Sequence, residues 1–415
     1  MPDPSDDRPN VLWLFSDQHS YRFLGAQPGG EPVRTPALDG IAEGVRFDRA
    51  YCPVPLCTPS RMCTLSGVEA PDCDAWGNGA MLPAELPTVA QTFSEAGYET
   101  CLVGKMHMGG DRQFLGFDHR PYGDLLGGNG HQYEPVSPED RVGDGWNLPD
   151  AGRTEYPESQ HQEVVAAREA LSWLRDHEAR SDDPWFLCVS VSRPHPPFTA
   201  PERHLERYDE VPPPRTDPAD LAENPLAELY GGVYGDEADP AEARRARGAY
   251  FACVEYLDEV IGDFLGSLSR SGLLDDTVLT YTADHGEQAG ERGVFEKRLW
   301  YDDSTRVPWL LGLPAHRRGE RPPAAIETPV SLLDLYPTLC GLAGIDPPDH
   351  LDGADLSAAV RSGAEPDRGP VVCDYHAGVP EGTEYRMVVA GAGADTAEGG
   401  EYKYVGFRDE PALLY

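Results

Sequence analysis

Val11-Leu12-Trp13-Leu14-Phe15-Ser16-Asp17-Gln18-His19 decides the fold class. Five apolar residues run without a polar break, the pattern of a short central strand buried on both faces. The run ends abruptly in polar side chains, and in open α/β sheets ligands gather at the carboxyl ends of the strands. Three more runs end the same way. Tyr98–Val103 leads to Gly104-Lys105-Met106-His107, Pro184–Val191 to Ser192-Arg193-Pro194-His195, and Val278–Tyr281 to Ala283-Asp284-His285-Gly286. Val45–Tyr51 and Thr305–Leu313 also read as strands. Helices are expected near Thr35–Asp39, over Pro83–Gly97 (with Pro83 near the start and Gly97 as the cap), His161–Arg180, Pro240–Ser271 and Ser331–Leu342.

Residues 110–160, and the proline- and acid-rich insertion from Pro201 to Asp239, read as long loops over a site mouth. A Pro/Gly/Asp-rich stretch, 346–370, reads as a linker. It leads to a small β subdomain built from Val371–Asp374, Tyr385–Ala390 and Tyr402–Phe407. The expected organisation is a catalytic α/β domain over 1–345 and a smaller C-terminal domain over 346–415.

Composition narrows the function classes. The 415 residues carry 71 acidic against 34 basic side chains, a net charge of −37. Nucleic acid and anionic membrane surfaces are therefore excluded as partners. No apolar run reaches membrane-spanning length, and Met1–Asn10 has neither a basic n-region nor an apolar h-region, so a cytoplasmic location is expected. The nine cysteines are odd in number and scattered without a Cys-x-x-Cys pair, which indicates neither a disulfide framework nor a structural zinc site. Lysine occurs only at 105, 297 and 403, and two of the three, Lys105 and Lys297, fall inside motifs taken up below. A compact ammonium, rather than a planar fork, is what such positions keep.

One cysteine stands apart. Cys57-Thr58-Pro59-Ser60-Arg61 places a thiol where Pro59 starts a helix, among unpaired N–H groups and the positive end of a dipole, with a guanidinium one turn on. Taken alone, it is equally a buried, inert thiol. The segment Ala50-Tyr51-Cys52-Pro53-Val54-Pro55-Leu56-Cys57-Thr58-Pro59-Ser60-Arg61-Met62-Cys63-Thr64-Leu65-Ser66-Gly67 resembles the sulfatase signature, and the likeness runs from Arg8-Pro9-Asn10 to Leu414-Tyr415. On that basis the chain is identified as a member of the type I sulfatases of the alkaline phosphatase-like superfamily.

The resemblance implies a large mixed, mostly parallel sheet flanked by helices, with a small C-terminal antiparallel subdomain. Relatives run on past Tyr415, so that subdomain is expected to be truncated. It also implies that a formylglycine-generating enzyme oxidises Cys57 to Cα-formylglycine. One divalent cation would then be held by Asp17, Gln18, Asp284, His285 and an oxygen of the converted Cys57. Calcium is the family's usual ion; oxygen donors suit Ca²⁺, Mg²⁺ or Mn²⁺, and the imidazole moves the balance toward Mn²⁺. Gly286 would let the backbone pass close to that ion.

Carried over by motif, Arg61 and Lys105 activate the nucleophile and His107 acts as its base. Lys105 and Lys297 neutralise the transferring group, His195 serves the leaving oxygen, and Asn78 contacts substrate. Three readings stay open: hydrolysis of a small sulfate monoester, hydrolysis of a phosphonate monoester or phosphodiester, and a non-catalytic binding protein in which Cys57 stays a thiol. The sequence does not set the oligomeric state.

Overall fold

A computed structural model describes residues 8–124, 150–221, 224–226, 240–391 and 402–415. Among them the strands are β1 (Asn10–Asp17), β2 (Val45–Tyr51), β3 (Glu99–Gly104), β4 (His119–Gly123), β5 (Ala151–Arg153), β6 (Trp185–Pro194), β7 (Phe198–Ala200), β8 (Thr277–Ala283), β9 (Arg306–Gly312), β10 (Ala324–Ile326), β11 (Val330–Ser331), β12 (Val371–Tyr375), β13 (Tyr385–Ala390), β14 (Tyr402–Phe407) and β15 (Leu413–Leu414). The main helices are α1 (Pro36–Ala42), α2 (Cys57–Ser66), α3 (Val89–Glu95), α4 (Gln162–Glu178), α5 (Pro240–Arg270), α6 (Leu335–Ala343) and α7 (Ser357–Ser362).

The large sheet runs β10-β2-β9-β8-β1-β6-β3-β4, with β11 beside β2. Its centre, β8-β1-β6-β3, is parallel throughout. β9 alone runs against its neighbours β8 and β2. This is the mixed, mostly parallel sheet expected, and the reason lies in the alternation within β1. Val11, Trp13 and Phe15 enter one buried layer with Met62 of α2, Phe93 of α3 and Leu339 of α6. Leu12 and Leu14 enter the other with Ile41 of α1, Leu174 of α4 and Leu257 of α5. A strand apolar on both faces has to be sandwiched, and each such side chain stabilises the fold by about 1.5–3 kcal/mol on burial.

The C-terminal sheet, β12-β13-β14-β15, is antiparallel. Its inward residues Val371, Cys373, Tyr375, Tyr385, Met387 and Val389 pack into the same layer as Trp13 and Met62.

Several local expectations change. The helix expected over Pro83–Gly97 is only α3, because Thr88, just after Pro87, is its N-cap and accepts from Gln91 N (3.3 Å). The residue before a proline is pushed out of the helical region, so Leu86 cannot belong to it. The stretch 346–370 is not only linker. It contains α7, whose Val360 is buried and whose entry is held by Leu356 N donating to Thr338 Oγ1 (2.9 Å). Within the two expected loops lie β4, β5 and a short helix, Glu202–Leu205. Residues 125–149, 222–223 and 227–239 of those loops fall outside the described residues. Among the described residues no helix is long and apolar enough to cross a membrane, and all nine cysteines are free and buried.

Candidate active site

Four adjacent parallel strands deliver side chains to one place. β1 ends at Asp17, β8 is followed by Asp284 and His285, β3 by Lys105, and β6 runs into the His195 loop. α2 opens at Cys57, whose thiol meets these strand ends. All of these side chains except His195 are essentially without solvent exposure.

Arg61 organises the carboxylates. Its Nη2 lies 3.0 Å from Asp17 Oδ2 and its Nε 2.7 Å from Asp284 Oδ2. Nη1 donates to the Lys105 carbonyl (3.2 Å) and to Ser190 Oγ (3.0 Å), and the guanidinium lies over the Phe15 ring at 4.5 Å. Lys105 Nζ adds a contact to Asp17 Oδ2 at 2.6 Å. With both Oδ2 atoms taken, the Oδ1 atoms turn inward. Asp17 Oδ1 lies 3.8 Å from Cys57 Sγ and 3.9 Å from His285 Nε2, and Asp284 Oδ1 lies 3.6 Å from that same nitrogen. His285 Nε2 is 3.2 Å from Cys57 Sγ, while Nδ1 donates to the Gly286 carbonyl (3.0 Å).

One ligand atom from each of Asp17, Cys57, Asp284 and His285 therefore lies within 4.8 Å of the others. The donor set fits a divalent cation: two carboxylate oxygens, an imidazole nitrogen oriented by its other N–H, and a fourth side chain, all desolvated. The electrostatics agree. Burial raises the Asp284 carboxyl to about 6, with Asp17 adding to it against the pull of Arg61. Burial pulls the His285 imidazolium down, but Asp284 and Cys57 outweigh it and carry it up to about 9. Negative potential that draws a proton to that nitrogen also draws a metal ion. Burial and Asp17 push the Cys57 thiol up, yet Lys297, His285 and Lys105 outweigh them and hold it well below the usual thiol range.

The remaining expected residues divide. Lys297 Nζ donates to Gln18 Oε1 (2.6 Å) and lies 3.3 Å from His195 Nε2. His195 Nδ1 donates to the Pro196 carbonyl (2.7 Å), which leaves the lone pair on Nε2 facing Lys297. Burial, then Lys297, lowers this imidazole below its ordinary value. Gln18 meets Lys297 through its carbonyl and Glu287 through its amide nitrogen. Asn78 Oδ1 accepts from Thr58 N (3.1 Å), so it satisfies an orphan N–H of α2 next to Cys57.

His107 has φ 57 and its carbonyl accepts from Thr58 Oγ1 (2.6 Å). β3 stops at Gly104, so Lys105 and His107 leave an irregular segment rather than a pleated strand. Gly286 is required by the packing of the chain itself: a Cβ there would stand 2.0 Å from the Asp303 carbonyl. The backbone passes close to the 303–306 segment there.

Sequence reasoning missed the supporting residues. Gln162, at the start of α4, donates to the Ser190 carbonyl (3.2 Å) and accepts from Ser192 N (2.9 Å), and Glu163 pairs with Arg193 beside the His195 loop. Tyr250 of α5 donates to the Gln18 carbonyl (2.7 Å).

The sulfatase family model matches residues 9–345. A choline-sulfatase of Rhizobium meliloti is 31% identical over 440 residues, covering 98% of this chain and 80% of that protein. An arylsulfatase of Clostridium perfringens is 29% identical over 386 residues, with 85% and 79% covered. The crystal structure of a phosphonate monoester hydrolase of Agrobacterium radiobacter superposes with a TM-score of 0.77 at 26% identity, over 98% of this chain and 89% of that one. The converging strand ends and the matches over nearly the whole chain lead to one assignment: the chain belongs to the sulfatase family and is a hydrolase of that family.

Proposed function

We propose that the protein hydrolyses a small sulfate monoester, using a formylglycine made from Cys57 by a formylglycine-generating enzyme, with one divalent cation held by Asp17, Gln18, Asp284, His285 and the converted Cys57. The observation that carries this reading is the meeting of Cys57 with Asp17, Asp284 and His285 within 4.8 Å at the mouth of α2. When present, the hydrated aldehyde supplies the nucleophilic hydroxyl and the cation supplies Lewis-acid charge.

The chain's own residues do the rest. Arg61 holds both carboxylates by their Oδ2 atoms, with the Oδ1 atoms on the side of His285 and Cys57. Lys105 and Lys297 stand on two sides of the site and neutralise the oxygens of the transferring group, where charge develops. His195, with Nε2 3.3 Å from the Lys297 ammonium and Nδ1 held by the Pro196 carbonyl, is assigned to the leaving oxygen, which it polarises or protonates. His107 is assigned by motif as the base; its backbone is left-handed and its carbonyl is braced by the Thr58 hydroxyl. Asn78 acts through the α2 N-terminus.

A second reading, hydrolysis of a phosphonate monoester or phosphodiester, is favoured by the 26% identity to the Agrobacterium enzyme. The chain is tested after co-production with a formylglycine-generating enzyme, by peptide mass spectrometry across Cys57 and by kcat/KM on paired aryl sulfate and aryl phosphonate esters. Conversion of Cys57 with the sulfate ester preferred is the expected result. Conversion with the phosphonate preferred selects the second reading, and full activity with Cys57 still a thiol rejects both.

A further inference from the structure

Gln18 is the one proposed metal ligand whose donor atom depends on which way an amide points, because its oxygen and nitrogen ends have nearly the same shape. Its backbone is fixed. φ is 67, N donates to Asp284 Oδ1 (3.0 Å), and the carbonyl accepts from Tyr250 OH (2.7 Å), which also accepts from Ser20 N (3.0 Å). The side chain is then keyed at both ends. Lys297 Nζ, a donor only, meets Oε1 at 2.6 Å, and Glu287 Oε2 accepts from Nε2.

Glu287 is itself held. It has no solvent exposure, and its other oxygen accepts from Ala289 N (2.9 Å), inside the turn that follows His285. The Lys297 ammonium sits on a flexible four-carbon stem, whereas this carboxylate is bolted to the backbone of the turn.

We propose that Glu287 is a positioning residue that sets the Gln18 amide, so that its oxygen rather than its nitrogen is presented to Lys297 and to the cation. This rests on the reading above that Gln18 offers Oε1 to the metal. The reaction does not touch Glu287; it acts by denying the amide its flipped orientation, in which Nε2 would face the ammonium and the ion. Residues that orient metal ligands in this way are worth about 10–100-fold in metal affinity.

The test is a double-mutant cycle read by Mn²⁺ affinity, using titration calorimetry on the metal-stripped full chain, with thermal melts alongside. Glu287→Gln should weaken Mn²⁺ binding about tenfold, because glutamine can present either end to Gln18. Gln18→Glu alone sets a carboxylate against Glu287. In that background Glu287→Gln should strengthen binding, since the amide introduced at position 287 donates to the carboxylate introduced at position 18 and the polarity of the pair is exchanged.

That reversal of sign is the expected result. A purely structural role at Ala289 would cost the same in both backgrounds, and that outcome, or a Glu287→Gln affinity within about twofold of the parent, overturns the proposal. Should Glu287→Gln fail to fold by itself, recovery of folding in the double variant supports the pairing, and no recovery overturns it. Absence of Mn²⁺ binding by the parent chain rejects the metal reading itself, and this inference with it.

Discussion

Asp284 and Asp258 are both buried aspartates, 0% and 2% exposed, yet they are built for different ends. Asp258, on α5, accepts from Ala37 N (3.0 Å) and Leu38 N (2.8 Å), one with each oxygen, and so caps the start of α1. Burial pushes the carboxyl up to about 7 against the pull of those two N–H groups, with Asp39 and Glu255 adding to the rise. Asp284 gives Oδ2 to Arg61, while Oδ1 accepts from Gln18 N (3.0 Å) and His285 N (2.9 Å) on the side where Asp17 Oδ1, His285 and Cys57 converge. The capping carboxylate directs both oxygens to the backbone of one helix start. A site is made where a cation takes one oxygen from each of two carboxylates and the remaining acceptor capacity is pooled.

Arg61 is the residue that enforces this difference, so its loss should have the largest effect. Arg61→Ala leaves two buried carboxylates facing each other, and about 3–5 kcal/mol of stability should go with it in denaturant melts. Turnover should fall on the order of 10³-fold, since neither carboxylate nor nucleophile keeps its place. Arg61→Lys should rescue little, because one ammonium cannot span both carboxylates as the planar fork does. Near-normal turnover in Arg61→Ala would erase the distinction between the two aspartates. Chelation should abolish activity and re-addition of Mn²⁺ or Ca²⁺ should restore it. Lys297→Ala tests the rim of the same cluster: a fall of roughly 10²-fold in kcat is expected, and a change confined to KM would remove Lys297 from the charge-neutralising role.

What was legible in the sequence follows the same division. Unbroken apolar runs mark strands buried on both faces, and a polar tip directly after such a run has a determined address, the carboxyl edge of the sheet. That is why Asp17, Lys105, His195 and Asp284 could be named before their neighbours were known. Cys57 was legible only through its resemblance to the sulfatase signature, since a thiol at a helix start has an ordinary explanation of its own. Glu287, Gln162, Tyr250 and Asp258 were not, because each acts through a contact with another segment and sits in a pattern that already has an ordinary explanation. Asp258 reads as one more acid on a long helix; only the packing of α5 on α1 makes it a cap. Gly286 is a mixed case: the glycine stands out in the sequence, but its close approach to the Asp303 carbonyl is announced by no local pattern.

The smallest effect concerns the capping side of the comparison, and it is separable because Asp258 lies outside the catalytic cluster. Its carboxyl stands at about 7 in the fold, against about 3.9 in an unfolded chain. Between those values the folded state binds more protons than the unfolded state, so this group's contribution is fully present below about pH 4 and is lost as pH rises through about 7. Asp258→Asn keeps an acceptor for one of the two N–H groups and removes the titration. At pH 5 the variant should be less stable than the parent by about 1 kcal/mol, as for a weakened helix cap. By pH 8 the deficit should close or reverse, a relative change on the order of 2 kcal/mol, with kcat unaltered throughout. Denaturant midpoints measured across that range decide it. A deficit that stays constant with pH would mean that burying a carboxylate against two backbone N–H groups costs nothing extra when it is charged, and Asp258, held by backbone donors, would then no longer be set apart from Asp284, held by Arg61.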